Sequence, residues 1–245
     1  MSAPGPQSNV TPELISERWD TASISPSLTL SEQELHVWFY PLASSSSGAL
    51  DWTSAPTLDD QEQQRAARFA TAELRADFCT AHEAKRQLLA RYLNCPPAKL
   101  RFDALQYGKP ILADEPLHFN LSHSGGWAVL AVARHALGVD LEVIDQAGRW
   151  QQLVSQVAHQ NDQLDRPESF YGCWCAKEAV SKWDGRGLGI PFPHLRLDPL
   201  SRGWLAVRED RPMGECRVYN LPAPEGFAAA VACPTPVKRI VCRLP

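Results

Sequence analysis

The sequence contains no run of 18 apolar residues, which removes a membrane-spanning helix from consideration. Residues Met1 to Val10 lack the basic-then-apolar pattern of a secretory signal. The seven cysteines are an odd number, and Cys173 and Cys175 are separated by one residue, so no Cys-x-x-Cys knuckle is present. Reduced thiols in the cytoplasm are the economical expectation, with no zinc site. Positive charge is also in short supply: 24 Lys and Arg against 28 Asp and Glu leave a net charge of −4, which argues against a general nucleic-acid binder. The glycines of Gly185-Arg186-Gly187-Leu188-Gly189 form neither a dinucleotide fingerprint nor a P-loop, and the Gly-x-Ser-x-Gly elbow of serine hydrolases is absent. What remains is a 245-residue chain, 44% apolar, able to bury a sizeable core in one large or two small domains.

Against that background, three carboxylates stand out. In Gly138-Val139-Asp140-Leu141-Glu142, the apolar residues Val139, Leu141 and Val143 alternate with Asp140 and Glu142, the period of a half-buried strand. Asp140 and Glu142 then share one face, roughly 6–7 Å apart along the chain, and repel unless a cation lies between them. A hard ion such as Mg²⁺, which combines carboxylates with substrate phosphates, suits the pair. Taken alone, the pattern also describes a solvated strand with two surface acids. The third acid lies in Trp174-Cys175-Ala176-Lys177-Glu178, inside a helix expected over Pro167–Trp183. Trp174, Glu178 and Lys182 line one stripe of it, and Lys177 and Lys182 both fall within a turn of Glu178. Such a positive cluster suits a phosphorylated ligand; a plain exposed Glu–Lys pair is the alternative. Upstream, Phe119 and Leu121 alternate with polar residues in His118–Ser124, a strand that leads into Gly125-Gly126 and the buried run Trp127–Val132 as a hairpin. Ser122 and His123 read as phosphate donors at its end, or as a turn serine and a surface histidine.

The remaining pattern organises the chain. Residues 1–33 have no sustained period and form an N-terminal extension, partly ordered across the body. Glu34–Tyr40 is the first clear strand, and Ser44–Gly48 a flexible loop. One helix is expected over Thr57–Ala70, with Thr57 and Asp60 as its capping pattern. A second runs over Ala72–Leu93 with a stripe of Leu74, Phe78, Ala81, Leu88, Leu89 and Tyr92, and stops at Asn94-Cys95-Pro96-Pro97. Short strands follow around Leu195–Leu197, Trp204–Val207, Cys216–Tyr219, Phe227–Ala232 and Ile240–Cys242. This grouping predicts an α+β fold with mainly antiparallel sheets. No repeat relates the two halves in sequence.

Gly108-Lys109-Pro110, Phe119-Asn120-Leu121-Ser122-His123-Ser124, Gly138–Glu142, Trp174–Lys182 and Gly187-Leu188, in that order, resemble the motif series of the 4′-phosphopantetheinyl transferases, over roughly residues 34–245. The similarity is to the larger, monomeric, surfactin-synthetase-activating type. It implies two similar α+β halves, 34–135 and 136–245, packed pseudo-symmetrically around a ligand cleft. It also implies transfer of the 4′-phosphopantetheine arm of coenzyme A to a serine of an apo carrier protein, of a peptide synthetase, polyketide synthase or fatty-acid synthase, with release of adenosine 3′,5′-bisphosphate. By this resemblance Asp140, Glu142 and Glu178 hold Mg²⁺, directly or through a water. Glu178 also acts as base, and Lys182 neutralises the diphosphate. Lys109, Ser122 and His123 contact coenzyme A, and Trp174 braces the helix. Arg65 and Arg75 are candidates for the 3′-phosphate, while Arg68, Lys85 and Arg86 are assigned to solvated helix face. Neither nucleic acid nor membrane is an expected partner. Two alternatives use the same residues. A metal-dependent phosphoester hydrolase, which commonly pairs its metals, calls for more clustered Asp and His than the sequence offers. A catalytically silent, carrier-binding relative has no reason to keep all three acids and Lys182.

Overall fold

The computed structural model describes residues 11–45, 57–113, 116–186, 189–234 and 237–245. Residues 46–48 of the expected loop, and the Gly187-Leu188 pair, lie outside them. In chain order, β1 (Glu13–Arg18) and β2 (Glu34–Pro41) precede α1 (Asp60–Ala66) and α2 (Ala72–Leu93). A short hairpin, β3 (Phe102–Ala104) and β4 (Pro110–Leu112), and a longer one, β5 (His118–Ser124) and β6 (Trp127–Ala133), come next. Beyond them lie β7 (Gly138–Val143), α3 (Val154–Val157) and α4 (Pro167–Asp184). Five strands end the chain: β8 (Leu195–Pro199), β9 (Trp204–Arg208), β10 (Cys216–Asn220), β11 (Phe227–Cys233) and β12 (Arg239–Leu244).

Two five-stranded sheets result, ordered β1-β12-β2-β6-β5 and β7-β11-β10-β9-β8. They contain a repeat that the sequence hides. In each, a strand is followed by a long helix and then a hairpin, and the strand lies antiparallel to the hairpin's second member. The first copy is β2, α2 and β5–β6; the second is β7, α4 and β10–β11. The fold is therefore α+β with two alike halves, antiparallel except where β12 runs parallel to β1 and β2.

Alternation along β2 shows how the layers stack. Val37 and Phe39 point one way, into a core shared with Val129, Val139, Leu141 and Val231 of both sheets. Trp38 and Tyr40 point the other way, onto Ala81, Ala84, Leu88 and Leu89 of α2. With both faces covered, the strand reads as an unbroken apolar run. On the far side, Ala176, Ala179 and Val180 of α4 cover Val218, Ala230 and Ala232. The layers are helix, sheet, sheet, helix.

Several sequence expectations need correction. The helix expected over Thr57–Ala70 is shorter because its cap is Asp59, whose carboxylate accepts from the Glu62 backbone while Glu62 returns to the Asp59 backbone. Thr57 is bonded instead to Glu83. Helix α2 has its expected span and ends at Asn94, left-handed at φ 51°, yet Leu74 is 49% exposed and stands off the buried stripe. The extension is integral from its described part onward: β1 pairs with β12, and Trp19, Ile24 and Leu30 are buried against α2 and β2. The final strand β12, grouped with the second half by a 136–245 division, belongs to the first sheet. Its Ile240 and Cys242 fill the core between the sheets beside Leu35 and Val37.

Trp19 meets Trp38 edge-on at 5.2 Å, so the start of the chain closes one end of the α2 core. Trp19→Ala should lower unfolding free energy by about 3 kcal/mol, typical of a buried tryptophan. Urea denaturation checks this, and an unchanged midpoint would make the segment a loose strap.

Candidate active site at the seam of two sheet edges

Strand β5 ends the first sheet and β7 ends the second, and the two edges lie against each other. Their contact is made by side chains rather than a backbone ladder. Alternate polar residues of β5 reach β7 in register: Asn120 Oδ1 accepts from the Val139 backbone N–H at 2.8 Å, the Ser122 hydroxyl donates to Asp140 Oδ1 at 2.8 Å, and the Ser124 hydroxyl donates to Glu142 Oε2 at 2.9 Å. The period of two that puts Asp140 and Glu142 on one face also puts Asn120, Ser122 and Ser124 on one face.

Helix α4 completes the cluster. Its Lys182 ammonium donates to Asp140 Oδ1 at 2.6 Å and to Ser122 Oγ at 2.7 Å. The helix comes this close because residue 138 is glycine: a Cβ there would lie 2.1 Å from the Ala179 carbonyl oxygen and 2.4 Å from the Trp183 nitrogen. Gly185, left-handed at φ 82°, ends the helix just beyond. Trp174 packs on Phe170 and Phe192, as expected of a brace.

The charges are strongly coupled. Asp140 is buried, and its Oδ2 has no hydrogen-bond partner among the described residues. Burial, and then the charge of Asp140, push the Glu142 carboxyl up to about 7, against the Ser124 hydrogen bond and Lys182. The same two causes raise Glu178, and Lys182 opposes them. Among the described residues no group of three or more His, Cys, Asp or Glu side chains converges closely enough to hold a metal ion. Lys182 is paired with Asp140, and Ser124 donates to Glu142.

A cleft of about 610 Å³ runs from His123 between α1, α2 and the β3–β4 hairpin. Arg65, Arg68, His82, Lys85 and the Gly108 turn line it. Its floor is a charge network that the sequence does not announce. Glu62 accepts from His82 at 2.9 Å, Lys85 at 2.6 Å and Arg86 at 2.6 Å, and Arg86 also reaches Asp59. Burial works to raise the Glu62 carboxyl, but these donors hold it far below the usual carboxylate range. Lys85 and Arg86 are thus buried, not solvated, because the α1 acids pair with them; Arg68 lines the cleft.

The expected residues divide accordingly. Asp140, Glu142, Glu178, Lys182 and Ser122 are brought together, His123 lies where that cluster meets the cleft, and Arg65 lines the cleft with its guanidinium over Phe78. Arg75 is exposed on α2 and is not among the lining side chains. Lys109 turns away from the cleft to donate to the Leu137 carbonyl at 2.8 Å and the Trp183 carbonyl at 3.4 Å, clamping the end of α4 to the start of β7; burial lowers it to about 8. Lys177 is not part of a positive cluster at all. It is fully buried on the opposite side of α4, bonded to Asp162 at 2.6 Å and to the Val157 and Phe192 carbonyls.

The sequence has counterparts among known proteins. A model of the 4′-phosphopantetheinyl transferase superfamily matches residues 136–232, and one of the 4′-phosphopantetheinyl transferase N-terminal region matches 47–135. The 4′-phosphopantetheinyl transferase HetI of a Nostoc species is 33% identical over 176 residues, 66% of this chain and 73% of its own length. The chain belongs to the 4′-phosphopantetheinyl transferase superfamily. Other relatives in the superfamily are the Bacillus subtilis transferases ffp, 29% identical over 73% of this chain and 88% of its own, and Sfp, 26% identical over 62% and 70%. Membership makes the chain an enzyme of phosphopantetheinyl transfer.

Two outcomes follow from the site. Gly138→Ala should destabilise the transferase by about 1–3 kcal/mol, the usual cost of overpacking, and lower kcat at least ~10-fold as α4 carries Glu178 and Lys182 away from β7; full activity would show that α4 need not sit so close. The raised Glu142 pKa means that the folded state binds more protons than the unfolded chain between about pH 4.5 and 7, so this group's contribution to stability is lost as pH rises through that window. Glu142→Gln should therefore stabilise the chelator-treated protein by on the order of 1–3 kcal/mol at pH 8 and hardly at all at pH 4.5. Melting curves at both pH values check the sign.

Proposed function

We propose that this transferase moves the 4′-phosphopantetheine arm of coenzyme A onto a serine hydroxyl of an apo carrier protein, releasing adenosine 3′,5′-bisphosphate. The observation that carries the reading is the seam itself: three carboxylates and one lysine gathered from β7 and α4 where a cation-lined cleft opens. The chemistry of the donor set suits magnesium, although among the described residues the three carboxylates do not converge on one point. Asp140 offers a buried oxygen with no partner among the described residues, and the carboxyls of Glu142 and Glu178 are pushed upward by burial and by Asp140, a repulsion that a divalent ion would relieve. Asp140, Glu142 and Glu178 would hold Mg²⁺, which when bound neutralises diphosphate oxygens.

The chain's own groups account for the remaining chemistry. Phosphoryl transfer is mostly positioning and charge stabilisation. The cleft from Arg65 and Arg68 to His123 takes the nucleotide end of coenzyme A and directs the diphosphate toward the seam. Glu178, with its raised pKa, accepts the proton of the attacking serine hydroxyl. Lys182 transfers its charge from Asp140 to the diphosphate and stabilises the leaving bisphosphate. Lys109 holds α4 against β7 while this happens. The protein acts as a monomer in the cytoplasm.

Incubation with an apo carrier protein, Mg²⁺ and coenzyme A should add the mass of the arm to the carrier. Breakdown of coenzyme A without carrier modification would indicate a hydrolase, and neither event a binding protein. Lys182→Ala should lower kcat by ~10²-fold, as when a preorganised charge stabiliser is removed; an unchanged kcat would remove Lys182 from the mechanism.

A further inference from the structure

Glu62 divides the cations of the cleft into two groups, and with the proposed function as its base this division bears on which donors the enzyme takes. The Glu62 carboxylate accepts from Lys85 at 2.6 Å and from Arg86 at 2.6 Å, and Arg86 reaches Asp59 as well. Glu62, Lys85 and Arg86 are all buried. Lys85 lines the cleft, with its ammonium 4.1 Å from the centre of the Phe102 ring in the same wall, yet its charge is already neutralised. Arg65 and Arg68 are different. Both line the cleft and are exposed to water, and Arg65 lies over the Phe78 ring at 5.3 Å rather than on a carboxylate.

Coenzyme A carries a 3′-phosphate on its ribose besides the diphosphate. With the diphosphate directed to the seam, the 3′-phosphate falls to the cleft. A site rejects a ligand that lacks one group only when the site's own buried partners are then left unsatisfied. No buried cation is left so here, because Lys85 and Arg86 keep Glu62 and Asp59 whatever is bound, while Arg65 and Arg68 keep water. Ion pairs made by exposed side chains are also weak.

We infer that Glu62 is a specificity-determining residue of the donor site: by holding Lys85 it withholds the buried ammonium of the cleft from the ligand, leaves the 3′-phosphate to Arg65 and Arg68, and makes dephospho-coenzyme A, which lacks that phosphate, a usable donor. Transfer from it forms the bond from serine oxygen to phosphorus, breaks the diphosphate P–O bond and releases adenosine 5′-monophosphate, with the serine proton accepted by Glu178 as before. Removing the Glu62 charge releases Lys85 and turns the cleft toward 3′-phosphorylated donors.

Isothermal titration calorimetry with coenzyme A and with dephospho-coenzyme A, both in Mg²⁺, reads the worth of the 3′-phosphate as the ratio of the two Kd values. In the wild type the ratio should be at most ~10-fold, and Arg65→Ala should bring it to about one, as exposed pairs require. An apo carrier should gain the arm from either donor. Glu62→Gln should raise the ratio at least ~10-fold, the scale of a desolvated charge gaining a partner, and adding Lys85→Met to that variant should abolish the gain. Lys85→Met alone leaves Glu62 paired with Arg86 and should keep the wild-type ratio; circular dichroism melting confirms folding, and this variant decides the matter if Glu62→Gln does not fold. A wild-type ratio above ~10-fold, a lower ratio in Lys85→Met, or no gain in folded Glu62→Gln overturns the inference. Failure of the underlying reading looks different: neither compound then binds the wild type, or both bind and no carrier is modified.

Discussion

The contact between β5 and β7 is the constraint on which the remaining structure depends. A sheet edge exposes unpaired N–H and C=O groups and is a hazard unless covered. Here two edges cover each other, with the side chains of Asn120, Ser122 and Ser124 standing in for a backbone ladder. The apolar residues of β7, Val139 and Leu141, enter the core between the sheets, so the polar alternates are forced toward the other edge. The acids are consequently held by the same register that joins the two halves. Gly138 and Lys109 extend this logic to α4: one removes a side chain so that the helix can approach, and the other ties the helix end to the strand.

Burial and the charge of Asp140 both disfavour the charged forms of Glu142 and Glu178, which raises the free energy of the folded protein. Lys182 offsets part of that penalty through Asp140, and Ser124 part of it through Glu142. The buried pair Lys177–Asp162 obeys a different rule. It is satisfied by protein groups on every side, including two backbone carbonyls, and so serves the architecture of α4 rather than a ligand. Two lysines five residues apart on one helix thus have unrelated tasks.

The strands and long helices were legible because their periods are strong. Helix α2 follows its stripe from Ala72 to the Asn94 stop, and α4 runs one residue past its expected end. The errors fall where local chemistry competes. The cap expected at Thr57 lies instead at Asp59, because Glu62 completes the box there while Thr57 is engaged by Glu83. Arg86 has the composition of a solvated face, yet it is fully buried because Asp59 and Glu62 come from another helix to meet it. In the candidate site, Asp140, Glu142, Glu178 and Lys182 could be singled out from strand and helix spacing. Ser124 and Asn120 were missed, although their alternation with Ser122 along one strand was a usable signal.

By itself the sequence determined which faces are apolar, where the two long helices begin and stop, and which carboxylates and lysines lie on common stripes, since these are properties of neighbours within a few residues. The ordered motifs also marked the superfamily. Only the tertiary structure decided that β12 returns to the first sheet, that Lys109 clamps and Lys177 anchors, and that Lys182 faces Asp140 across Ser122. Those outcomes depend on contacts between residues far apart in the chain, such as Arg239 and Glu34 at a separation of 205, and no local period encodes a partner at such a distance. A lysine's sequence position says that it carries charge; the packing of the helix that bears it selects the oxygen on which that charge rests.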